Sequence, residues 1–379
     1  MKFIHLADLH IGKNINGFSM LDDQRHILEQ ILSYVKAHRP DAVILAGDIY
    51  DRQLPGVEAV KLFDEFLYSL TELNTAVLAI SGNHDSPERL GFASRIMDGR
   101  GVYMYGAFNG AMQKITLNDD FGPVNFYMLP FVKPSFVRPF HESVESYDDA
   151  VRMIIESQII DYNQRNILIC HQFVTGAGSA PILSESEIGP IGGIDNVDIA
   201  PLLNFDYVAM GHLHGPQRLI KDCIRYGGSP LKYSFSESNH NKSIPLVEIS
   251  AKEKATDIAL LPLTPLRDMR KIKGPLNELT KPDISGTGNA NDYIHVTLTD
   301  DEPLIDPMGK LRLIYPNIMS LSFDNARSNS SPTLDINTDD LKFDPSELFE
   351  KFFLDQNGLA MNPLQKKTAE ELLNKEEVL

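Results

Sequence analysis

The chain is short of positive charge. Its 35 lysines and arginines face 52 aspartates and glutamates, a formal net charge of −17 at pH 7. That balance argues against long-range attraction of the bulk chain to nucleic acid, which rests mainly on phosphate neutralisation by Lys and Arg. It does not exclude an enzyme of nucleic acid, because bound divalent cations, local basic loops or a partner subunit can provide the positive field. Cysteine is scarce: Cys170 and Cys223 are the 2 in 379 residues, which excludes a disulfide framework and a cysteine-rich zinc site. No run approaches the ~20 apolar residues that cross a bilayer. The opening MKFIHLADLH carries a carboxylate where a secretory leader needs an apolar run and a small-residue cleavage site. These absences lead us to expect a cytoplasmic protein without a membrane segment.

What is present is a 42% hydrophobic chain, long enough for more than one domain and a large core. Its first half alternates strand-like and helix-like stretches. Residues 2–7 read as a strand and 21–38 as an amphipathic helix bearing Ile27, Leu28, Ile31, Leu32 and Val35. AVILA at 42–46 and AVLAI at 76–80 are short continuous apolar runs, the mark of strands buried on both faces. Between them, 57–70 returns to helical spacing. This rhythm predicts an α/β sheet covered by helices. Further strands are expected at 102–105, 114–117, 124–129, 166–170 and 207–210, with a helix at 148–162. Short β segments then continue to about residue 262. The expected division is a catalytic domain over 1–262, a small α+β domain over 263–325, a Ser/Asn/Asp-rich linker over 326–340 and a helical segment over 341–379.

The apolar strands share a habit: each ends in Asp, Asn or His. Asp8 and His10 follow the first strand. GDIYDR, with Asp48 and Asp51, follows AVILA, and GNHD, with Asn83, His84 and Asp85, follows AVLAI. ILIC runs into His171, and YVAM into GHLH, with His212 and His214. Alone, GD or GNHD reads as an ordinary turn, since Gly, Asn and Asp favour such backbone shapes. Their joint occurrence reads otherwise, because parallel strands bring their carboxyl ends to one edge, where open α/β sheets place their sites.

Carboxylate, amide oxygen and imidazole without thiolate suit Mn²⁺, Fe²⁺ or Zn²⁺. Seven such donors are too many for one ion. A shared carboxylate would bridge two ions ~3.5–4 Å apart, the arrangement that clamps the attacking and leaving oxygens in phosphoryl transfer. One histidine would then be spared to act as general acid.

D-x-H, GD-x-x-D, GNHD, a single strand-end His and GHLH, in this order, resemble the calcineurin-like metallophosphoesterase family. HLADLHIGK, HQFVTGAG and GGSP-x-x-x-SF-x-E narrow the resemblance to the bacterial DNA nucleases of that family that work with a coiled-coil ATPase. The resemblance implies a β-sandwich flanked by helices, with a small capping domain and C-terminal helices. It implies two ions, Mn²⁺ in such nucleases. Asp8, His10 and His214 would hold one, Asn83, His171 and His212 the other, with Asp48 between them. His84 would be the non-ligand acid, and Asp51 would either orient it or serve only as a turn residue in the strand-to-helix loop. It further implies action on DNA double-strand ends, hairpins and single strands, and a homodimer through helices that include 57–70 and 89–97.

Other residues carry less. Gly228 and Ser229 of GGSP would let the backbone approach substrate or metal, and Arg52 would meet a phosphate; a tight turn and a solvated cation are the plainer readings. Phe349, Phe352 and Phe353, on an expected helix over 345–356, and Leu364, Leu372 and Leu373 beyond it form apolar stripes. They either pack on the protein's own core or, behind the linker, dock on the ATPase. A phosphomonoesterase or cyclic-nucleotide phosphodiesterase stays open as an alternative, because fold does not fix substrate. A catalytically dead scaffold would be expected to lack some of the ligands, and all are present here.

Overall fold

The computed structural model describes residues 1–176, 181–185, 187, 196–281, 288–325, 345–357 and 360–376. The expected linker, 326–340, and the last residues of HQFVTGAG, 177–178, lie outside the described residues. The chain divides into two compact units, Met1–Met269 and Arg270–Leu379.

In the first unit, β1 (Lys2–Leu6), α1 (Leu21–His38), β2 (Ala42–Ala46), α2 (Val57–Glu72), β3 (Ala76–Ile80) and β4 (Val102–Tyr105) follow one another. Next come β5 (Gln113–Asp119), β6 (Gly122–Leu129), α3 (Tyr147–Ser157), β7 (Arg165–His171) and β8 (Tyr207–Gly211). The unit closes with β9 (Gln217–Leu219), β10 (Lys221–Tyr226), β11 (Ser243–Glu248) and β12 (Asp257–Pro262). Two six-stranded sheets result, in the orders β12-β11-β1-β2-β3-β4 and β9-β10-β8-β7-β6-β5. Within the first, β1 to β4 run parallel; within the second, β6, β7, β8 and β10 do. Antiparallel strands finish the margins.

Alternation along the strands builds three layers of core. Ile4 and Leu6 of β1, with Val43 and Leu45 of β2, join Ile27, Ile31, Phe63 and Phe66 beneath α1 and α2. Phe3 and Ile44 face the other way and meet Phe126, Ile169 and Tyr207 of the second sheet. Leu168 and Val208 pack under Val151 and Ile154 of α3. Strands covered on both faces account for the unbroken AVILA and AVLAI runs. Phe3 meets Tyr207 edge-on at 5.3 Å between centroids, so Phe3→Ala would cost about 3–5 kcal/mol.

Two helices differ from expectation. A Ser146–Asp149 capping box starts α3, but it ends at Ser157 rather than 162. Gln158, the next residue, is extended at ψ 138°, which stops the helix while its apolar spacing continues. The expected helix over 89–97 is two single turns, Pro87–Leu90 and Ser94–Met97, broken where Ala93 takes φ 60°.

In the second unit, β13 (Met269–Gly274), β14 (Tyr293–Leu298) and β15 (Ile318–Phe323) form a three-stranded sheet. Ile294, Val296 and Ile318 pack there against Leu276, Leu279 and Leu311 from two short helices. Later in the chain, α4 (Pro345–Asn357) and α5 (Pro363–Glu376) pack on each other. Phe349, Phe353, Leu364 and Leu372 line an apolar groove of about 740 Å³ between them. Among the described residues, no helix is long and apolar enough to cross a membrane.

Candidate metal centre

The carboxyl ends of β1, β2, β3, β7 and β8 deliver the strand-end residues to one buried cluster in the first unit. Three groupings of ligand atoms lie within 4.8 Å of one another: Asp8, His10 and His214; Asp8, Asp48 and His171; and His10, Asp48 and His84. Asn83 joins them, its Oδ1 standing 3.0 Å from His171 Nε2 and 3.1 Å from His212 Nδ1. Asp48 sits in the middle. Its Oδ1 accepts from the backbone N–H of His84 at 2.8 Å, leaving Oδ2 3.4 Å from His171 Nε2 and 3.7 Å from His10 Nε2.

The backbone is strained here. Asp8, His10, Asp48 and His212 all have positive φ, at 52°, 45°, 50° and 103°. Side chains rarely adopt that region, and such residues concentrate at functional sites. Gly47 has φ 86°, and a Cβ there would come within 2.3 Å of the His171 ring. The glycine of GD is therefore needed both for its turn and for the close approach of the second sheet.

Several ring orientations are fixed by the far nitrogen. His171 Nδ1–H donates to the Ala46 carbonyl at 2.8 Å, which aims Nε2 at Asn83 Oδ1 and Asp48 Oδ2. His214 Nδ1 faces Glu237 Oε1 at 3.3 Å, and its Nε2 lies 3.1 Å from His10 Nε2. With Nδ1 of His171 donating to a carbonyl, a neutral ring sets its bare Nε2 against the Asn83 and Asp48 oxygens, acceptor against acceptor, which a cation or a proton between them satisfies. This donor set fits divalent metal ions. Without metal, the charges lean on one another. Burial raises Asp8 to about 7. Burial would lower His171, but the Asp48 carboxylate beside it brings it up to about 9. Burial would raise Asp48, yet His171 and His10 hold it well below the usual carboxylate range.

His84 Nδ1 lies 3.0 Å from the backbone carbonyl of Asp51. It is the Asp51 main chain, rather than its carboxylate, that stands at hydrogen-bond distance of this ring nitrogen. That carboxylate pairs with Lys13 Nζ at 2.6 Å and lies 3.6 Å from His10 Nδ1 and from Arg52 Nε. Arg52 is 72% exposed at the edge of the site. Gly228 and Ser229, expected to let the backbone approach substrate or metal, sit against the loop that carries His214. Gly228, at φ 76°, packs so close to the GHLH loop that a Cβ would come within 2.9 Å of the His214 carbonyl. The buried Ser229 hydroxyl donates to the Leu231 carbonyl at 2.7 Å and accepts from Lys242 Nζ at 2.8 Å. Both residues shape the loop that carries His214.

Sequence reasoning missed the supports. Asp85, the last residue of GNHD, accepts backbone N–H groups of Ile49, Tyr50 and Gly82 at 2.9–3.1 Å, tying two ligand loops together. Gln24 on α1 donates to the His10 carbonyl at 2.7 Å and accepts from Gly12 N–H at 2.9 Å; a buried amide on an apolar helix face was its signal. Glu187 accepts from the His214 backbone N–H. Glu237 is fully buried, and although burial pushes its carboxyl up, His214 and Lys242 bring it down to about 2.

Residues 1–216 match the family model described as calcineurin-like phosphoesterase, and 265–357 match that of the type 5 capsule protein repressor C-terminal domain. The chain belongs to the calcineurin-like phosphoesterase family. Its relatives include the SbcD subunit of the SbcCD nuclease of Staphylococcus epidermidis, 34% identical over 382 residues that cover 99% of this chain and 98% of that protein. The protein of the same name from Staphylococcus saprophyticus is 32% identical over 379 residues, covering 98% of each. Among solved structures, a dimetal phosphatase from Danio rerio matches at TM-score 0.40 and 11% identity, covering 69% of this chain and 95% of that one.

Proposed function

We propose that this chain is the nuclease subunit of an SbcCD-type complex, a two-metal phosphodiester hydrolase acting on DNA. It would work as an exonuclease on double-strand ends and an endonuclease on hairpins and single strands, in DNA repair, recombination and replication. The observation that carries this reading is the buried cluster of seven Asp, Asn and His donors with His84 set against it. Near full-length similarity to two proteins named as nuclease subunits supports DNA over a small phosphate ester.

Asp8, His10 and His214 would hold one ion, Asn83, His171 and His212 the other, and Asp48 both. Two divalent ions, Mn²⁺ in this reading, supply charge for the scissile phosphate and lower the pKa of the attacking water. The protein's own part is orientation and proton delivery. The Ala46 carbonyl and Glu237 keep Nδ1 of His171 and His214 occupied, leaving Nε2 of each for coordination. His84, with Nδ1 on the Asp51 carbonyl, would deliver its proton from Nε2 to the departing oxygen. Arg52, exposed at the rim, would meet a DNA phosphate.

The partner is an SbcC-type ATPase, docked on the helix pair α4 and α5, where Phe352 is 52% and Leu364 73% exposed. A homodimer through α2 and the segment after GNHD is supported by exposed Val57, Tyr68, Phe92 and Ile96. In domain terms, residues 1–262 would be the nuclease domain, 263–325 the capping domain, 326–340 the linker and 341–379 the docking segment. The protein would act in the cytoplasm. Incubating the purified chain with plasmid and single-stranded DNA, in Mn²⁺ and then in EDTA, tests this reading against hydrolysis of an aryl phosphate ester. Mn²⁺-dependent DNA cleavage is expected; ester hydrolysis without DNA cleavage would refute it.

A further inference from the structure

The GGSP-x-x-x-SF-x-E stretch ends on Glu237, which faces the His214 ring and is itself half of a buried ion pair. Glu237 Oε2 and Lys242 Nζ are 2.6 Å apart, with side chains 0% and 4% exposed. Lys242 spends its three ammonium donors on Glu237 Oε2, on Ser229 Oγ at 2.8 Å and on the His214 carbonyl at 2.9 Å. Glu237 Oε1 faces His214 Nδ1 at 3.3 Å. The pair therefore grips one histidine twice, by its ring and by its main chain. A buried ion pair is weak evidence for stability, because desolvation offsets most of the attraction; its better attested use is to specify one arrangement.

We infer that Glu237 and Lys242 are positioning residues that hold His214 as its Nδ1–H tautomer, with Nε2 bare and turned to the metal centre. Glu237 alone would leave an uncompensated buried anion against the His214 ring. Lys242 alone would leave a buried cation. Together they are neutral, so the ring is oriented with no net charge added. The inference rests on the metal-centre reading, and its consequence is uneven: the ion held by His214 should depend on the pair, and the ion held by His171 and His212 should not.

The test uses the full chain in three forms: wild type, Glu237→Gln, and Glu237→Gln with Lys242→Met, the last leaving no orphaned cation. Mn²⁺ alone is titrated by calorimetry. Wild type should bind two ions. Both variants should bind one of them about 10–100-fold more weakly, the usual effect of losing such an outer partner, and the other unchanged. In parallel, ¹⁵N-histidine spectra of the metal-free chain, with His214 assigned by His214→Asn, report its tautomer. Wild type should show Nδ1–H, and the variants a mixture. Unchanged affinities for both ions in both variants would overturn the proposal. So would an Nε2–H tautomer in wild type, a result that needs no variant to fold. A wild-type chain that binds no Mn²⁺ would instead overturn the metal-centre reading beneath it.

Discussion

His84 Nδ1 stands 3.0 Å from the main-chain carbonyl of Asp51, while the Asp51 carboxylate turns to Lys13 Nζ at 2.6 Å. A main-chain acceptor survives substitution of the side chain. Asp51→Asn should therefore slow cleavage by only a small fraction of the ~10²–10⁴-fold expected of His84→Gln, the scale of general acid–base help. His84→Gln should keep its bound metal. Because one ring nitrogen of His84 lies within 4.8 Å of ligand atoms of His10 and Asp48, metal content measured with the rate decides its role. Metal lost along with activity would make His84 a ligand.

Metal binding should release protons. Near neutral pH the metal-free chain holds a proton on His171, raised to about 9 by Asp48 against the effect of burial, and part of one on Asp8, raised to about 7 by burial. Coordination needs a bare imidazole and a carboxylate, so both protons must leave. Apparent Mn²⁺ affinity should rise with pH from neutrality toward about 9 and level off above it. Calorimetry in buffers of different ionisation heat would measure the release, and buffer-independent heats would contradict it.

The C-terminal helices should separate assembly from catalysis. Truncation after Asp339 removes Phe349, Phe353 and Leu364, which line the apolar groove, and none of the metal-centre residues. Apolar surface left in water costs ~25 cal/mol per Å², so that groove should find a cover. The truncated chain should cleave short or single-stranded DNA with Mn²⁺, yet fail to co-purify with an SbcC-type ATPase. Phe352→Asp with Phe353→Asp should do the same. An unfolded product, or retained binding, would assign the helices to the protein's own core.

Much of the architecture was legible because local rules and tertiary context agree there. The bounds of β2, β3 and α1 follow from apolar runs and periodicity alone. The donors were legible because strand ends in a parallel sheet converge whatever the details of packing. Failures came where local backbone geometry overrode periodicity, as at Gln158 and Ala93. What one residue's backbone and side chain each touch was not legible either, as at Asp51. Ser229 and Lys242 were illegible for another reason: no local pattern shows that a hydroxyl and an ammonium 13 positions apart meet beneath a histidine.

Anomalous scattering at the manganese edge, from crystals of the full chain soaked in Mn²⁺, tests most directly whether two ions share Asp48. Two peaks ~3.5–4 Å apart are expected. One should be bonded by Asp8, His10 and His214, the other by Asn83, His171 and His212, with Asp48 touching both and His84 touching neither. Asp48→Ala crystals should show both peaks weakened together. A single peak, or a second ion bonded by His84, would contradict the account.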